Sequence, residues 1–250
     1  ADILKHFLGN DESFRLVELG AGDGTKTKVL LECFEENAVD VTYSPIDISK
    51  NVLEQLKNDL EMEFPRLKVE PITGDYFKAL AELKRNHDLK EVVLFLGSTI
   101  GNFSLASGLS FLKNLSDEMT KGDLLFIGFD LMKDPEVVLN AYNDPQEITS
   151  AFNLNLLDRI NNELAGNFDV AGFKHYPTYD PISGETKSYL ISKKKQSVYI
   201  RSLDELFEFK ENEPIFMEVS QKYSQTMIAD LAEQAGFKIM KQFIDQKGYF

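Results

Sequence analysis

A glycine-rich turn between an apolar run and a helical pattern is the feature that most constrains this chain. Residues 14–19 read as a buried strand, and Gly20, Gly22 and Gly24 follow directly before the helical pattern. Gly20 and Gly22 let the backbone approach a ligand closely, and Gly24 permits a tight entry into the helix. Free N–H groups at that helix start can face an anion or a polar group. The turn predicts a nucleotide-cofactor site, although such triplets also occur as plain loops.

Acidic residues at the ends of the first two strands narrow the choice of cofactor. Asp47 ends the apolar-rich stretch 41–47, where a carboxylate can accept both ribose hydroxyls of an adenosine. That position suits a dinucleotide or S-adenosylmethionine. Glu18 lies beside the glycine turn, where its carboxylate repels a pyrophosphate but tolerates a sulfonium and an ammonium. S-adenosylmethionine is therefore favoured over NAD.

The next two strand ends supply further candidate contacts. Asp75 and Tyr76 close a third strand, 67–73, where the pair can bind an adenine amine and flank the ring. A strand-end turn with a capping aspartate is the alternative for Asp75. Small residues follow the fourth strand and leave room for a substrate beside the cofactor, with Asn102 as the polar anchor.

Alternating strand and helix patterns up to residue 130 predict a Rossmann-like α/β core with a parallel sheet. The predicted strands are 14–19, 41–47, 67–73, 91–96 and 123–129, and the predicted helices are 25–37, 49–63, 76–86 and 105–119. The period then changes, which indicates an inserted lobe. It comprises helices at 134–143 and 145–164 and an alternating stretch, 174–200, that turns at 180–184. The chain returns through a strand at 215–222, a helix at 224–235 and a last strand from Phe237.

Charge and composition exclude some functional classes. The chain carries a formal net charge of −14, which argues against a nucleic-acid surface because phosphates would be repelled. No apolar run approaches the roughly 20 residues that span a bilayer, and no signal peptide is visible, so we expect no membrane partner and a cytoplasmic location. His6, His87 and His175 lack metal-ligand spacing, so we expect surface or satisfied roles for them and no metal site.

Several motifs occur in one order along the chain and together carry a family resemblance. They are 18–22 with Lys26, 45–47, 74–76, 97–102, 130–135 with 141–142, 149–153 and 218–220. In this combination the sequence resembles the histidine-specific, S-adenosylmethionine-dependent methyltransferase family over almost its whole length. The resemblance implies a Rossmann-like class I methyltransferase core with an inserted α+β substrate lobe. The core would span 1–131, the substrate-binding lobe 132–222 and the return to the core sheet 223–250.

The resemblance also implies which residues hold the cofactor. S-adenosylmethionine would lie against residues of the first three strand ends, namely Glu18, Gly20, Gly22, Lys26, Asp47, Asp75 and Tyr76. Gly97 and Thr99 would shape the channel through which the methyl group reaches the substrate. The small residues Gly97 and Ser98 leave room for more than one added methyl group.

The resemblance implies a small-molecule substrate, an amino acid, whose binding residues come from both halves of the chain. Asn102 and Tyr142 are the catalytic candidates, which would hold the α-carboxylate and the amine. Glu218 and Ser220 alternate with an apolar residue and so share one strand face. In the family pattern they would bind the imidazole of histidine, because a carboxylate accepts an imidazole N–H.

Alternatives to this interpretation stay open. At Ser188 the family pattern leads us to expect a larger apolar side chain, so another amino acid, such as an aromatic one, is the alternative substrate. The family also carries a preceding helical segment that supplies aromatic groups to the amino-acid pocket, and the chain opens on Ala1 without it. We therefore expect a fragment of a longer protein, and a non-catalytic cofactor-binding protein is a further alternative. An NAD-dependent oxidoreductase would need a Tyr/Lys pair or a histidine in the crevice, and we find none.

Overall fold

The computed structural model describes residues 13–86 and 89–250 of the chain. Contacts between residues divide the chain into two compact units. Unit 1 comprises the described residues up to Ile100 together with 106–129 and 229–241. Unit 2 comprises 101–105, 130–228 and 242–250. The functional boundaries at residues 131 and 222 stay a prediction.

The strands and helices are numbered in chain order. The strands are β1 (Ser13–Leu19), β2 (Asp40–Asp47), β3 (Lys68–Val69), β4 (Ile72–Thr73), β5 (Glu91–Phe95), β6 (Leu124–Ile127), β7 (Phe173–Tyr179), β8 (Glu185–Ser192), β9 (Gln196–Ile200), β10 (Glu205–Phe209) and β11 (Pro214–Gln221). The helices are α1 (Thr25–Glu36), α2 (Lys50–Glu63), α3 (Tyr76–Asn86), α4 (Leu105–Glu118), α5 (Pro135–Tyr142), α6 (Ile148–Glu163) and α7 (Gln225–Gln234). In the described part of the chain, none of the helices has the length and apolar character needed to cross a membrane.

The sheet of unit 1 is parallel throughout. Its strand order is β3-β2-β1-β5-β6, and β4 also pairs with β2. Positions 14–19 of the central strand β1 are all buried, as is typical of a parallel strand covered on both faces. The predicted Rossmann-like α/β core is therefore confirmed, with helices following the strands as the sequence pattern indicated.

The carboxyl ends of these parallel strands lie along one edge of the sheet. The glycine turn follows β1, Asp47 ends β2, Gly74 follows β4 and Gly97 lies shortly after β5. Tyr76 begins α3 two residues after Gly74. The topology thus gathers the predicted cofactor residues at that edge.

The predicted third strand is split into two short pairings with β2. Lys68–Val69 and Ile72–Thr73 form the ladder on either side of a break at Glu70 and Pro71. Proline has no N–H to donate to a ladder, so pairing cannot run through that position. The Glu70 N–H still donates to the carbonyl of Tyr43 at 2.8 Å.

Unit 2 contains an antiparallel sheet of order β11-β8-β7. The turn 180–184 joins β7 to β8, and the Gly184 N–H donates to the Asp180 carbonyl at 2.8 Å, as the hairpin pattern predicted. Helices α5 and α6 contact both strands. Alternate residues of β8 are buried, namely Thr186, Ser188, Leu190 and Ser192.

A second hairpin, β9–β10, was not anticipated in full. Its first strand falls within the predicted alternating stretch, but Glu205–Phe209 was not predicted as a strand. Four of its five residues are exposed, so no core-facing alternation marks it. The connecting turn uses Asp204 at φ +53° instead of glycine, which removed the usual hairpin signal.

The last strand expected from Phe237 is wrong. Residues 237–250 are all described, and none of them forms a strand. The carboxylate of Asp245 accepts the backbone N–H groups of Lys247, Tyr249 and Phe250, which folds this segment into a turn. The Tyr249 carbonyl accepts the Leu131 N–H at 2.8 Å within unit 2.

Candidate functional site

The glycine turn of unit 1 adopts backbone conformations that favour glycine. Gly20, Gly22 and Gly24 have φ angles of +74°, +54° and +68°. The Gly20 N–H donates to the carbonyl of Ile46 at 2.9 Å, and the Gly24 N–H donates to that of Ala21 at 3.0 Å. A Cβ at Gly22 would meet no atom within 4 Å, so this part of the turn faces open space.

The expectation of free N–H groups at the start of α1 is wrong for Thr25, and the Gly22 N–H of the preceding turn is bonded as well. The Gly22 N–H donates to Asp47 Oδ2 at 3.3 Å, and the Thr25 N–H donates to Asp23 Oδ1 at 3.0 Å. Anion sites at helix starts depend on such donors being available to the ligand. In this structure the Gly22 and Thr25 donors are instead taken by carboxylates of the chain itself.

Asp47 links the glycine turn to the start of α2. Its Oδ2 accepts from Gly22 and its Oδ1 accepts the Ser49 N–H at 2.9 Å. Each carboxylate oxygen has two lone pairs, so both oxygens can accept a further bond. The half-buried carboxylate at the end of β2 therefore fits a ribose diol.

Glu18 is buried, with 5% of its surface exposed. Its Oε1 accepts from Thr27 Oγ1 at 2.6 Å, and its Oε2 accepts from the Tyr43 hydroxyl at 2.5 Å. Burial raises the pKa of Glu18. The two hydrogen bonds, and separately the positive charge of Lys26, oppose that shift. Glu18 thus ties β1 to α1 and β2, and its contact with a cofactor stays a prediction.

Asp75 caps a helix, whereas Tyr76 packs against an aromatic ring. Asp75 Oδ1 accepts the N–H groups of Phe77 (3.1 Å) and Lys78 (3.3 Å), so it caps α3 as its alternative interpretation proposed. The Tyr76 ring packs edge-on against Phe95, with ring centroids 6.5 Å apart. Partial burial raises the pKa of Tyr76, with help from nearby negative charge.

Lys26 and Gly97 approach each other closely within unit 1. Lys26 Nζ lies 2.8 Å from the position that a Cβ of Gly97 would take. Gly97 and Ser98 both have left-handed backbones, at φ +72° and +59°. The Thr99 hydroxyl donates to the Leu96 carbonyl at 2.9 Å, which closes this turn. A side chain at position 97 would displace the Lys26 ammonium from this place.

Asn102 ends the 3-10 turn Thr99–Asn102, and its side chain is exposed. The preceding Gly101 packs against β11, where a Cβ would lie 2.9 Å from the carbonyl oxygen of Gln221 and 3.7 Å from Ser220 Oγ. Gly101 and both of these neighbours belong to unit 2. The close backbone approach fixes the turn that carries Asn102.

A buried lysine connects two of the predicted substrate residues. Lys222 Nζ donates to the Tyr142 hydroxyl at 2.7 Å, to Ser220 Oγ at 2.8 Å and to Asp130 Oδ2 at 2.8 Å. Asp130 also receives a bond from Lys133 Nζ, at 2.6 Å. The sequence interpretation assigned no role to Lys222. The signal was present, because Lys222 follows Ser220 at the two-residue spacing that shares a strand face.

Glu218 lies on the covered face of the antiparallel sheet of unit 2. It pairs with Ser188 on β8, and Ser220 pairs with Thr186. The buried Asn153 donates to the Thr149 carbonyl at 3.0 Å and to Glu218 Oε1 at 3.5 Å. The motif 149–153 therefore supplies an amide beside the predicted imidazole-binding carboxylate.

Two unpartnered hydroxyls lie on the same sheet face as Glu218. Thr186 and Ser188 are each 1% exposed, and neither hydroxyl has a hydrogen-bond partner in the described structure. A buried hydroxyl without a partner is costly, which favours a polar ligand group at this place. The polar character of Ser188 is thus part of a set of polar groups rather than an isolated departure from the family pattern.

His175 does not have the surface or satisfied role that was expected. It pairs with Leu190 on β8, and its Nε2 is buried without a partner in the described structure. Burial lowers the pKa of His175, and the negative charges of Glu218 and Asp144 oppose that shift. His6 and His87 lie outside the described residues.

The predicted site residues therefore fall into two sets. Unit 1 holds the cofactor set with the two channel residues, which are Glu18, Gly20, Gly22, Lys26, Asp47, Asp75, Tyr76, Gly97 and Thr99. Unit 2 holds the amino-acid set, which is Asn102, Tyr142, Glu218 and Ser220. The fold joins Tyr142 to Ser220 through Lys222. Their roles toward ligands stay predictions.

Known proteins resemble this chain over nearly all of its length. A family model described as histidine-specific methyltransferase, SAM-dependent, matches residues 1–250. Histidine N-alpha-methyltransferase of Mycolicibacterium smegmatis is 33% identical over 236 residues, which cover 94% of this chain and 73% of that protein. Ergothioneine biosynthesis protein 1 of Schizosaccharomyces pombe is 31% identical over 256 residues, which cover 97% of this chain and 33% of that protein. L-tryptophan methyltransferase trpM of Psilocybe serbica is 25% identical over 253 residues, which cover 94% of this chain and 70% of that protein.

The family match spans every motif from the glycine turn to β11, and it agrees with the parallel core. The chain belongs to the histidine-specific, S-adenosylmethionine-dependent methyltransferase family.

Proposed function

We propose that this protein transfers the methyl group of S-adenosylmethionine to the α-amine of an amino acid, with L-histidine as the substrate. The observation that carries the substrate is the polar sheet face of unit 2. Glu218 lies there with Ser220, and the buried hydroxyls of Thr186 and Ser188 lack partners in the described structure. A phenyl ring would leave all of these groups unmatched and an indole offers one donor without an acceptor, whereas an imidazole offers both a donor and an acceptor.

The cofactor proposal rests on the edge of the parallel sheet in unit 1. Asp47 would accept the ribose hydroxyls, and the open space at Gly22 admits the ligand to the glycine turn. Lys26 lies beside Gly97 and offers a cation to the carboxylate of the methionine part. Tyr76 and Asp75 are the candidates for the adenine. When bound, S-adenosylmethionine supplies an activated methyl group that a nucleophile can attack in line with the departing sulfur.

The chain's own task is to present the amine in its neutral form with the lone pair unobstructed. Asn102 and Tyr142 would hold the α-carboxylate and amine, so that the nitrogen keeps a fixed direction. Glu218 would accept an imidazole N–H and Ser220 would contact the second ring nitrogen. The small residues Gly97 and Ser98 leave room for added methyl groups.

Another amino acid is the alternative substrate. Ser188, which pairs with Glu218, is smaller than the apolar residue that the family pattern leads us to expect, so the alternative substrate would carry a larger side chain. The similarity to an L-tryptophan methyltransferase, named above, makes tryptophan and phenylalanine the right competitors to test. A non-catalytic protein would bind the cofactor and leave every amino acid unmethylated.

The test is methyl transfer by the full-length protein, followed by mass spectrometry of histidine, phenylalanine and tryptophan. We expect a methylated α-amine on histidine and a preference for histidine over both competitors. Glu218→Ala should reduce histidine turnover and spare the aromatic amino acids, and Glu208→Ala on the exposed strand β10 is the matched control. Wild-type selectivity in folded Glu218→Ala would refute the imidazole assignment. If no amino acid is methylated while S-adenosylhomocysteine still binds, the proposed methyltransferase activity is refuted.

A further inference from the structure

Lys222 is a buried cation whose hydrogen-bonding capacity is fully used. Its side chain is 3% exposed, and its ammonium reaches Asp130, Tyr142 and Ser220 at 2.7 to 2.8 Å. An ammonium has three donors and no acceptor. Three donors therefore meet three acceptors, each of them at hydrogen-bond distance.

This arrangement fixes the direction of the bonds at Tyr142 and Ser220. Because the ammonium can only donate, both hydroxyl oxygens act as acceptors toward Lys222. In the described structure neither side chain has another hydrogen bond. The hydroxyl hydrogens of Tyr142 and Ser220 are thus directed elsewhere and can be donated to a ligand.

Asp130 balances the charge that this arrangement buries. Its Oδ2 accepts from Lys222 at 2.8 Å, and its Oδ1 accepts from Lys133 at 2.6 Å. A buried cation without a partner would be costly. Lys133 contacts the same carboxylate, but its other hydrogen bond runs to the Tyr249 carbonyl at 3.3 Å. The two lysines therefore share Asp130 and differ in every other hydrogen-bond partner.

We propose that Lys222 is a positioning residue that turns Tyr142 and Ser220 into hydrogen-bond donors toward the amino-acid substrate. The proposal rests on the proposed function. Ser220 then donates to a ring nitrogen that carries a lone pair, while Glu218 accepts from the ring N–H. Together they select one neutral tautomer of imidazole, and the nearby ammonium disfavours an imidazolium.

The same hydrogen-bond direction has a consequence for the reacting end of the substrate. A hydrogen bond donated to the amine would occupy the lone pair that must attack the methyl carbon. A hydroxyl that donates suits the α-carboxylate, because carboxylates only accept. Tyr142 would therefore bind the carboxylate and leave the amine free to react.

The first experiment compares Lys222→Met with Lys133→Met in the full-length protein. Both variants remove an amine from Asp130, but only Lys222 contacts Tyr142 and Ser220. We expect Lys222→Met to raise KM for histidine roughly ten- to hundredfold, with the affinity for S-adenosylhomocysteine unchanged in calorimetry. Lys133→Met should keep KM within about threefold of wild type. Equal effects of the two variants would overturn the proposal.

A second set of variants separates positioning from general support of the fold. In a Ser220→Ala background, Lys222→Met should lower kcat/KM for histidine and for phenylalanine by the same factor, because the ring contact is already absent. In a Tyr142→Phe/Ser220→Ala background, Lys222→Met should have no further effect on KM. A full effect of Lys222→Met in that background would show a merely structural role.

Lys222→Arg keeps the experiment decisive if Lys222→Met does not fold. The guanidinium keeps the charge for Asp130, but its planar fork cannot repeat the three-way geometry of the ammonium. We expect a folded variant with raised KM for histidine, and wild-type KM would overturn the proposal. Failure of the proposed function is distinguishable, because it is observed in the wild type as loss of histidine methylation. In that case the effect of Lys222→Met through Tyr142 is measured as KM for the amino acid that the wild type prefers.

Discussion

The phenolic oxygen of Tyr76 lies against the backbone of Gly20, 2.8 Å from the position that a Cβ of residue 20 would take. This contact joins the glycine turn after β1 to the first residue of α3. Gly20 also has a φ of +74°, so a side chain there would meet both backbone strain and a steric clash. Two motifs far apart in sequence thus depend on one glycine.

Gly20→Ala should destabilise the protein more than Gly22→Ala. Both glycines have left-handed backbones, which costs alanine about 1–2 kcal/mol. Only Gly20 has a neighbour in the way, since a Cβ at Gly22 would meet nothing within 4 Å. Urea denaturation measures the two free energies of unfolding. Tyr76→Phe should remove the excess cost of Gly20→Ala, and equal costs for the two alanine variants would contradict the clash.

Asp47→Asn should weaken S-adenosylhomocysteine binding by about 1–3 kcal/mol in calorimetry. An amide has one acceptor oxygen and cannot accept both ribose hydroxyls while it also holds the N–H groups of Gly22 and Ser49. Asp40→Asn, at the exposed start of the same strand, is the matched control. Cofactor affinity that is unchanged in folded Asp47→Asn would remove this residue from the site.

Asn102→Ala should lower methyl transfer far more than it lowers cofactor affinity. The residue lies at the end of the turn Thr99–Asn102 with an exposed side chain, and only the amino acid would lose a partner. Steady-state kinetics with histidine and calorimetry with S-adenosylhomocysteine give the two quantities. Parallel losses in both would place Asn102 against the cofactor instead.

The elements that could be predicted from the sequence are those in which the hydrophobic periodicity and the turn residues at the ends indicate the same structure. Four of the six residues of the strand 14–19 are apolar and glycines follow it directly, so the strand and its turn could both be predicted. The strand expected from Phe237 did not form, and at the end of that segment Asp245 accepts the N–H groups of Lys247, Tyr249 and Phe250, which are then unavailable for strand pairing. The hydrophobic periodicity of a sequence does not show where a side chain will bind nearby backbone N–H groups in this way.

The candidate site was predictable where a motif carries its own chemistry and not where partners come from distant segments. Asp47 at a strand end could be predicted from its position alone. For Lys222 the sequence shows only the spacing from Ser220, because its other partners, Asp130 and Tyr142, lie about 90 and 80 residues away in sequence. His175 was missed for the same reason, since its relation to Glu218 exists only in the folded sheet.

Glu218→Gln should lower the pKa of His175 further. Burial already lowers this pKa, and the Glu218 carboxylate is the larger of the charges that oppose the shift. Removing that charge leaves desolvation less opposed. A pH titration of the His175 ring protons by NMR, assigned with His175→Gln, measures the change, and Glu208→Gln serves as the control. An unmoved pKa would show that the two side chains do not interact.

Glu70→Gln should destabilise unit 1 in a pH-dependent way. Glu70 accepts from Lys68 at 2.7 Å and from Arg15 at 2.7 Å, and these bonds lower its pKa from 4.5 to about 2. Arg15 is 1% exposed, and its Nε and Nη2 lack partners in the described structure, so its charge depends on Glu70. Because Glu70 is one-third exposed, we expect a loss of about 1–2 kcal/mol at neutral pH.

The sign of the pH dependence follows from the lowered pKa of Glu70. Between pH 4.5 and about 2 the unfolded state binds more protons at this group than the folded state does. The stability that the ionised carboxylate contributes is therefore fully present above pH 4.5 and is lost as the pH falls through that window. The difference between wild type and Glu70→Gln in urea denaturation should shrink from pH 6 to pH 3.5. Glu63→Gln, which removes the exposed partner of Lys28, should change stability by less than about 0.5 kcal/mol at either pH, and a Glu70→Gln difference that stays constant would contradict the role of the charge.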